Sequence, residues 1–191
     1  AITPDDLHPN DDGHELVASV IIHVLEQIRV SAGMEVKSDS GEAEKVPLTA
    51  NAYEDSIRYQ NDSAVFTANG FVADQDRQDG ITDIFKNGWT ANQKGATITF
   101  EVEGSCIGIQ YRKTIKLPAP VAEVVIDDDS THAVRLDANF DETWGDKLQL
   151  DTIAEHIEKE KHKVQITITE THETDQLPFY LVSVIASGKE K

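Results

Sequence analysis

Near the start of the chain, the stretch "PDDLHPNDDGHEL" sets Asp5 three residues before His8, with Pro9 directly after. A carboxylate and an imidazole are the pair needed to activate a hydroxyl nucleophile. The ring removes the hydroxyl proton, and the acid fixes the ring tautomer and stabilises the imidazolium. In most such arrangements the acid and the base come from distant parts of the chain. A separation of three lets one short loop present both, provided the loop is stiff. Pro9 fixes its own φ and pushes His8 away from the helical region. Asp5 is therefore the candidate orienting acid and His8 the candidate general base.

Such a loop needs an anchor, and the next residues supply one. From Asp12 to Ile28, apolar residues recur at Leu16, Val17, Val20, Ile21, Val24, Leu25 and Ile28. This spacing predicts an amphipathic helix with one wide apolar face. Asp12 followed by Glu15 has the acid-then-glutamate look of a helix start. Residues 31–46 are dominated by Ser, Gly and charge, and they read as a linker. From 47 to 191 the period changes to two. In "ATITFEVEGSCIGIQYR", Ile98, Phe100 and Val102 alternate with polar residues up to Gly104-Ser105. Read as a hairpin turning at Gly104-Ser105, the segment pairs Val102 with Ile107, Phe100 with Ile109 and Ile98 with Tyr111. Further strands are expected around Ser63–Val72, Ala122–Asp127, Ala133–Asp137, Lys163–Thr169 and Phe179–Ser187, the last apolar on both faces as a central strand would be. Seven to nine short strands predict a mainly β fold, an antiparallel two-sheet sandwich of jelly-roll type, preceded by one helix.

The motif D-x-x-H-P-N-x-x-G-H at Asp5, His8, Pro9, Asn10, Gly13 and His14 resembles the C-terminal motif of SGNH hydrolases, the GDSL-type esterases and lipases. The helix with Leu16, Ala18 and Ile21 is similar to their last helix. The resemblance covers about Thr3 to Val30. It implies that residues 1–30 close an α/β hydrolase domain in which Asp5 orients His8. The family's nucleophile lies in a Gly-Asp-Ser sequence near its N-terminus, and its oxyanion hole uses a glycine and an asparagine from middle blocks. None of these blocks occurs in this chain, and Ser38 in "SDSGEA" lies in the linker rather than at a strand-to-helix elbow. The expectation is therefore a serine ester hydrolase of which this chain supplies two triad members. The chain alone is expected to be inactive and to require the missing N-terminal part as partner. The 47–191 segment resembles, more weakly, the accessory β-sandwich that follows the catalytic domain in some bacterial SGNH enzymes. The expected substrate is an acylated small molecule or carbohydrate. A rival reading is a non-catalytic carbohydrate-binding or interaction module.

Composition narrows the partners. Seventeen Lys+Arg face 35 Asp+Glu, a net charge of -18. Such a surface repels phosphate backbones and anionic lipid, so neither nucleic acid nor membrane is an expected partner. No apolar run approaches the ~20 residues needed to span a bilayer. The single cysteine, Cys106, excludes an internal disulfide and leaves the compartment, cytoplasmic or bacterial secreted, open. No cofactor motif is present. Asp74, Asp76 and Asp79 in "ADQDRQDGI" are calcium candidates, since calcium takes six to eight oxygens, though the spacing is not that of an EF-hand. "DDDS" at Asp127–Ser130 is a second acidic turn. Trp89 and Trp144 are candidates for a sugar-stacking platform, with Tyr53, Tyr59, Tyr111 or Tyr180 beside them. His23 suits a buried or interfacial position, and His14 a packing and hydrogen-bonding one. The helix face needs cover, and a homodimer through Val17, Val20, Val24 and Ile28 is one way to provide it.

Overall fold

The computed structural model describes residues 2–4, 8–33, 51, 53–155 and 157–188. The chain divides into two compact units, Ala1–Pro47 and Leu48–Lys191. Most of the predicted linker, with Ser38, lies outside the described residues. No described helix is long and apolar enough to cross a membrane.

The first unit holds helix α1, Asp11–Ser31. Its cap lies two residues before the expected one. Asn10, not Asp12, is the N-cap: it is extended, and its Oδ1 accepts from the Gly13 amide at 3.0 Å. Asn10 is the better cap because its own amide is held by the Ile2 carbonyl at 3.0 Å, which fixes the entry angle of the chain. Asp11 and Asp12 occupy the first turn, where negative charge meets the positive end of the helix dipole.

The second unit is a sandwich of two antiparallel sheets. Its strands are β1 Ile57–Tyr59, β2 Phe66–Asn69, β3 Val72–Ala73, β4 Trp89–Ala91, β5 Thr97–Gly104, β6 Cys106–Lys113, β7 Val121–Ile126, β8 Val134–Asp137, β9 Lys147–Ala154, β10 Glu160–Glu170 and β11 Phe179–Ser187. One sheet runs β3-β4-β11-β6-β9, with β1 also pairing β11; the other runs β2-β5-β10-β7-β8. As its apolar residues on both faces require, β11 is central, with β4 and β1 on one edge and β6 on the other. The core lies between the sheets and includes Trp89, Ile98, Phe100, Ile109, Val124, Leu136, Ile166, Phe179 and Leu181.

The expected hairpin does not form. β5 pairs with β10 and β2, and β6 pairs with β11 and β9. Phe100 thus sits opposite Val164 and Phe66, and Ile109 opposite Val184 and Asp151. Gly104-Ser105 is a corner where the chain passes from one sheet to the other. The alternation identified the inward face of each strand correctly, because Ile98, Phe100, Val102, Ile107, Ile109 and Tyr111 are all buried. Two strands facing one core from opposite sheets show the same alternation as two neighbours in one sheet. Gly104 allows the corner: a Cβ there would lie 2.9 Å from the Ser187 carbonyl oxygen and 3.1 Å from the Ala186 Cβ.

β9 escapes the sequence reading because its apolar pattern is inverted. It is an edge strand whose Leu150 is exposed, while Asp151 accepts from the Tyr111 hydroxyl at 2.8 Å. The short β1, β3 and β4 carry too few residues to show a period.

Candidate catalytic loop and ligand surfaces

The candidate base sits at the head of α1. His8 is exposed, and Pro9 and Asn10 behind it are partly buried. Three constraints shape this loop. Asn10 closes the cap, its carbonyl accepts from the His14 amide at 2.9 Å, and Gly13 is buried against Ile2 and Pro9. A Cβ on Gly13 would lie 2.5 Å from the Ile2 carbonyl oxygen and 2.8 Å from the Pro9 Cβ. The Pro-Asn-x-x-Gly part of the motif is thus the scaffold that presents His8. Asp5, the candidate acid, lies outside the described residues.

Along α1, Leu16, Val17, Val20, Ile21, Val24, Leu25 and Ile28 are all exposed. Gly13 is the buried residue of the helix. His14 is exposed, and so is His23, which was expected to be buried or interfacial. Hence the described residues of its own unit leave the apolar helix face uncovered.

The two tryptophans diverge. Trp89 is fully buried, edge-on to Phe66 at 5.2 Å and to Phe100 at 5.1 Å. It offers no face to a ligand, and the expectation of a platform there is corrected: the indole is the centre of the core. Trp144 is 67 % exposed and stands edge-on to Phe140, with ring centroids 5.1 Å apart at 88°. Lys147 Nζ lies 5.6 Å over the Phe140 ring. Behind this pair, Thr114 donates to Asp146 at 2.6 Å, and the Phe140 amide to the Thr114 carbonyl at 3.0 Å. A perpendicular neighbour covers at most one face of an indole, and with Trp144 this exposed a flat face is left for apolar contact with a pyranose ring.

None of the expected tyrosines forms a ring contact with Trp144. Tyr111 is buried and stacked on Phe179 at 5.7 Å. Tyr180 is buried and donates to Asp74 at 2.5 Å. Burial first, then the hydrogen bonds to Asp151 and Asp74, push both phenols far above their ordinary value, so neither ionises at working pH. Tyr59 packs against the core, and Tyr53 donates to Glu155. Phe140 was missed as the partner because "NFDETW" gives no periodic signal.

The calcium candidates do not converge. Asp74 is taken up by Tyr180 and by the Asp76 amide at 2.9 Å, and Asp76 pairs with Lys86 at 2.9 Å. The Asp79 amide donates to Asp83 at 3.3 Å. No group of three metal-ligating side chains is placed to hold an ion among the described residues. The second acidic turn is likewise used locally. Asp129 accepts from the Thr131 amide and hydroxyl and from His132, and the Thr131 hydroxyl first among these holds its carboxyl at about 2.

No protein-family model matches the chain, and no curated protein matches it. Among solved structures, the chain is similar over its entire length to a two-domain esterase active on acetylated mannans, co-crystallised with mannopentaose. The identity is 58 % and the TM-score 0.83, and the chain covers 50 % of that esterase. A second structure of a two-domain esterase active on acetylated mannans matches over 99 % of this chain at the same identity and TM-score. A family two carbohydrate esterase from Cellvibrio japonicus aligns with 65 % of the chain at 15 % identity and a TM-score of 0.42. The chain spans about half the length of the two-domain relatives it matches. By its motif the N-terminal segment resembles the histidine-bearing end of SGNH hydrolases, and over its whole length the chain, helix and β-sandwich together, matches one half of a two-domain esterase.

Proposed function

We propose that the protein is a serine esterase that removes acyl groups from carbohydrate, with acetylated mannan-type polysaccharide as the substrate class. The carrying observation is the 58 % identity, over every residue of this chain, to half of an esterase active on acetylated mannans. In this reading His8 removes the proton from a serine hydroxyl supplied by the rest of the hydrolase domain, and Asp5 steadies the ring. The serine oxygen bonds to the ester carbonyl carbon and the sugar hydroxyl leaves with the proton that His8 returns. Water, deprotonated by His8, then releases the acid. The apolar face of α1, through Val17, Val20, Val24 and Ile28, is covered by the remainder of that domain. The sandwich contributes a glycan contact at Trp144 and Phe140.

The test is reconstitution. The chain is joined behind the nucleophile-bearing half of the related two-domain esterase, and acetate release from acetylated mannan is measured. Release by the joined protein, none by this chain alone, and loss on His8→Ala support the reading. Hydrolysis of p-nitrophenyl acetate by the chain alone, or full activity of the joined His8→Ala protein, overturns it.

A further inference from the structure

One end of the sandwich holds a cavity of about 520 Å³ floored by Ile126, Ile153, Ala154 and Ile157, with His162 in its wall. His162 is near the start of β10, opposite Val102 of β5, and is 4 % exposed. Both of its ring nitrogens meet acceptors. Nδ1 lies 2.7 Å from Asp127 Oδ2, just past the end of β7, and Nε2 lies 3.0 Å from the Glu158 carbonyl oxygen, in the connection from β9. A neutral imidazole has one N–H, so only the imidazolium satisfies both contacts. The ring therefore ties together a strand of one sheet and the crossover arriving from the other.

Its surroundings favour the charged form. Asp127 is locked in place, because its Oδ1 accepts from the Lys163 amide at 2.8 Å and its own amide donates to the Lys163 carbonyl at 2.9 Å. From β5, Val102 is the register partner, while Glu101 and Glu103 alternate to the other face. Among the described residues, the remaining titratable groups around the cavity are Asp129, Glu155, Glu158, Glu160 and His132. Lys163 is drawn away to Asp128 at 2.7 Å.

We propose that His162 is a pH-sensitive latch on this cavity: as imidazolium it holds residues 157–159 against the end of β10, and on losing its proton it releases them. The proton leaves to solvent from Nε2, because Asp127 is ionised and keeps the N–H on Nδ1. The Nε2 lone pair then faces the Glu158 carbonyl oxygen, and the contact becomes repulsive. Burial lowers the proton affinity of the ring, but the Asp127 and Glu158 hydrogen bonds and the charges of Asp127 and Glu160 outweigh it, so His162 titrates above its ordinary 6.5. With the folded value above the unfolded one, the stabilisation is complete below pH 6.5 and is lost as pH rises through the folded value. On the acid side Asp127 is held below its ordinary 3.8, despite partial burial, by the His162 and Lys163 hydrogen bonds. Its contribution is lost as pH falls through that lowered value, so the stabilisation is complete between roughly pH 4 and 6.5 and the latch opens as pH rises through the raised value of His162.

Two measurements on the intact chain between pH 5 and 9 test this. Imidazole nitrogen NMR follows His162, and amide hydrogen exchange, corrected for intrinsic rate, follows Ile157, whose N–H donates to the Ser105 carbonyl at 3.1 Å. The expected result is a His162 midpoint above 6.5 and a fall of about tenfold in Ile157 protection at the same midpoint, the change that one lost hydrogen bond produces. Asp127→Asn is expected to lower both midpoints together. A midpoint at or below 6.5, or an Ile157 profile with no step while His162 titrates, overturns the latch without any variant being made.

Discussion

In the helix unit the apolar side chains from Leu16 to Val30 are exposed, and Gly13 is the buried residue of α1. In the sandwich a continuous core runs from Phe71 to Ala186, and its large side chains are at or near zero exposure. One unit presents a candidate catalytic base and, among the described residues, leaves its apolar face exposed; the other buries its own face and carries one exposed indole, Trp144. The contrast teaches how to interpret a substitution in each. Changes in the sandwich core act on stability, because the inward faces of the two sheets pack on it. A change at His8 is expected to act on chemistry rather than on a core, because that side chain is exposed.

The sharpest break between the two is His8→Ala. In the reconstituted esterase it is expected to lower kcat on acetylated mannan by roughly 10⁴-fold or more, the scale seen when a triad member is removed. The urea midpoint of the sandwich should stay where it was. A shift of that midpoint would mean that His8 is part of a packed structure, and the division between the units would fail.

Trp89→Ala is the complementary experiment. Its indole packs edge-on to Phe66 and Phe100, and its N–H has no hydrogen-bond partner among the described residues, so truncation removes packing and leaves no partner stranded. The expected loss is about 3–5 kcal/mol of sandwich stability, from lost transfer energy and the cavity left behind. Urea unfolding followed by circular dichroism measures it. A loss below about 1 kcal/mol would show that the core re-forms without its central ring.

These two residues also mark how far the sequence could be read. The loop that presents His8 was legible because its scaffold is local: Pro9, Asn10 and Gly13 act within one turn of the start of α1, so type and spacing carry the meaning. The central position of β11 was legible for a similar reason, since a strand apolar on both faces has one place to go. Strand pairing was not. Period two records which side of β5 and β6 faces inward, and that is the same for a hairpin and for a corner between sheets. Trp89 and Trp144 look alike in sequence because burial of an indole depends on the opposing sheet, here Phe66 and Phe100, which no local pattern reports. His162 went unnoticed as well, because its two partners, Asp127 and Glu158, come together only through the sandwich.

Trp144 separates glycan contact from stability within the sandwich itself. Trp144→Ala is expected to weaken binding of manno-oligosaccharide by roughly 10–100-fold, equivalent to losing about 1.5–3 kcal/mol of aromatic burial on the ligand. Stability should move by no more than about 0.5 kcal/mol, because the ring is 67 % exposed. Isothermal titration calorimetry measures the first and urea unfolding the second. Unchanged affinity would remove Trp144 from the glycan surface and leave the cavity at the His162 end as the place to look.

The smallest effect concerns the cap that presents His8. Asn10 Oδ1 accepts from the Gly13 amide, and the Asn10 amide is held by Ile2, so one residue ties the loop to the helix on both sides. Asn10→Ala keeps the second bond and loses the first, at a cost of about 1 kcal/mol to the first turn of α1. Asn10→Asp keeps an acceptor at the cap and adds charge beside Asp11 and Asp12, so it should retain the first turn to within a few tenths of a kcal/mol. Hydrogen exchange at the Gly13 amide measures the turn directly, with roughly fivefold faster exchange expected for the alanine variant, as a loss of 1 kcal/mol dictates. If the loop is positioned by this cap, kcat of the reconstituted enzyme should fall with Asn10→Ala and hold with Asn10→Asp, while KM is unchanged. Equal kcat in all three proteins would mean that the rest of the hydrolase domain, not the cap, aims His8. The helix unit would then depend on a partner for the geometry of its chemistry as well as for the cover of its apolar face.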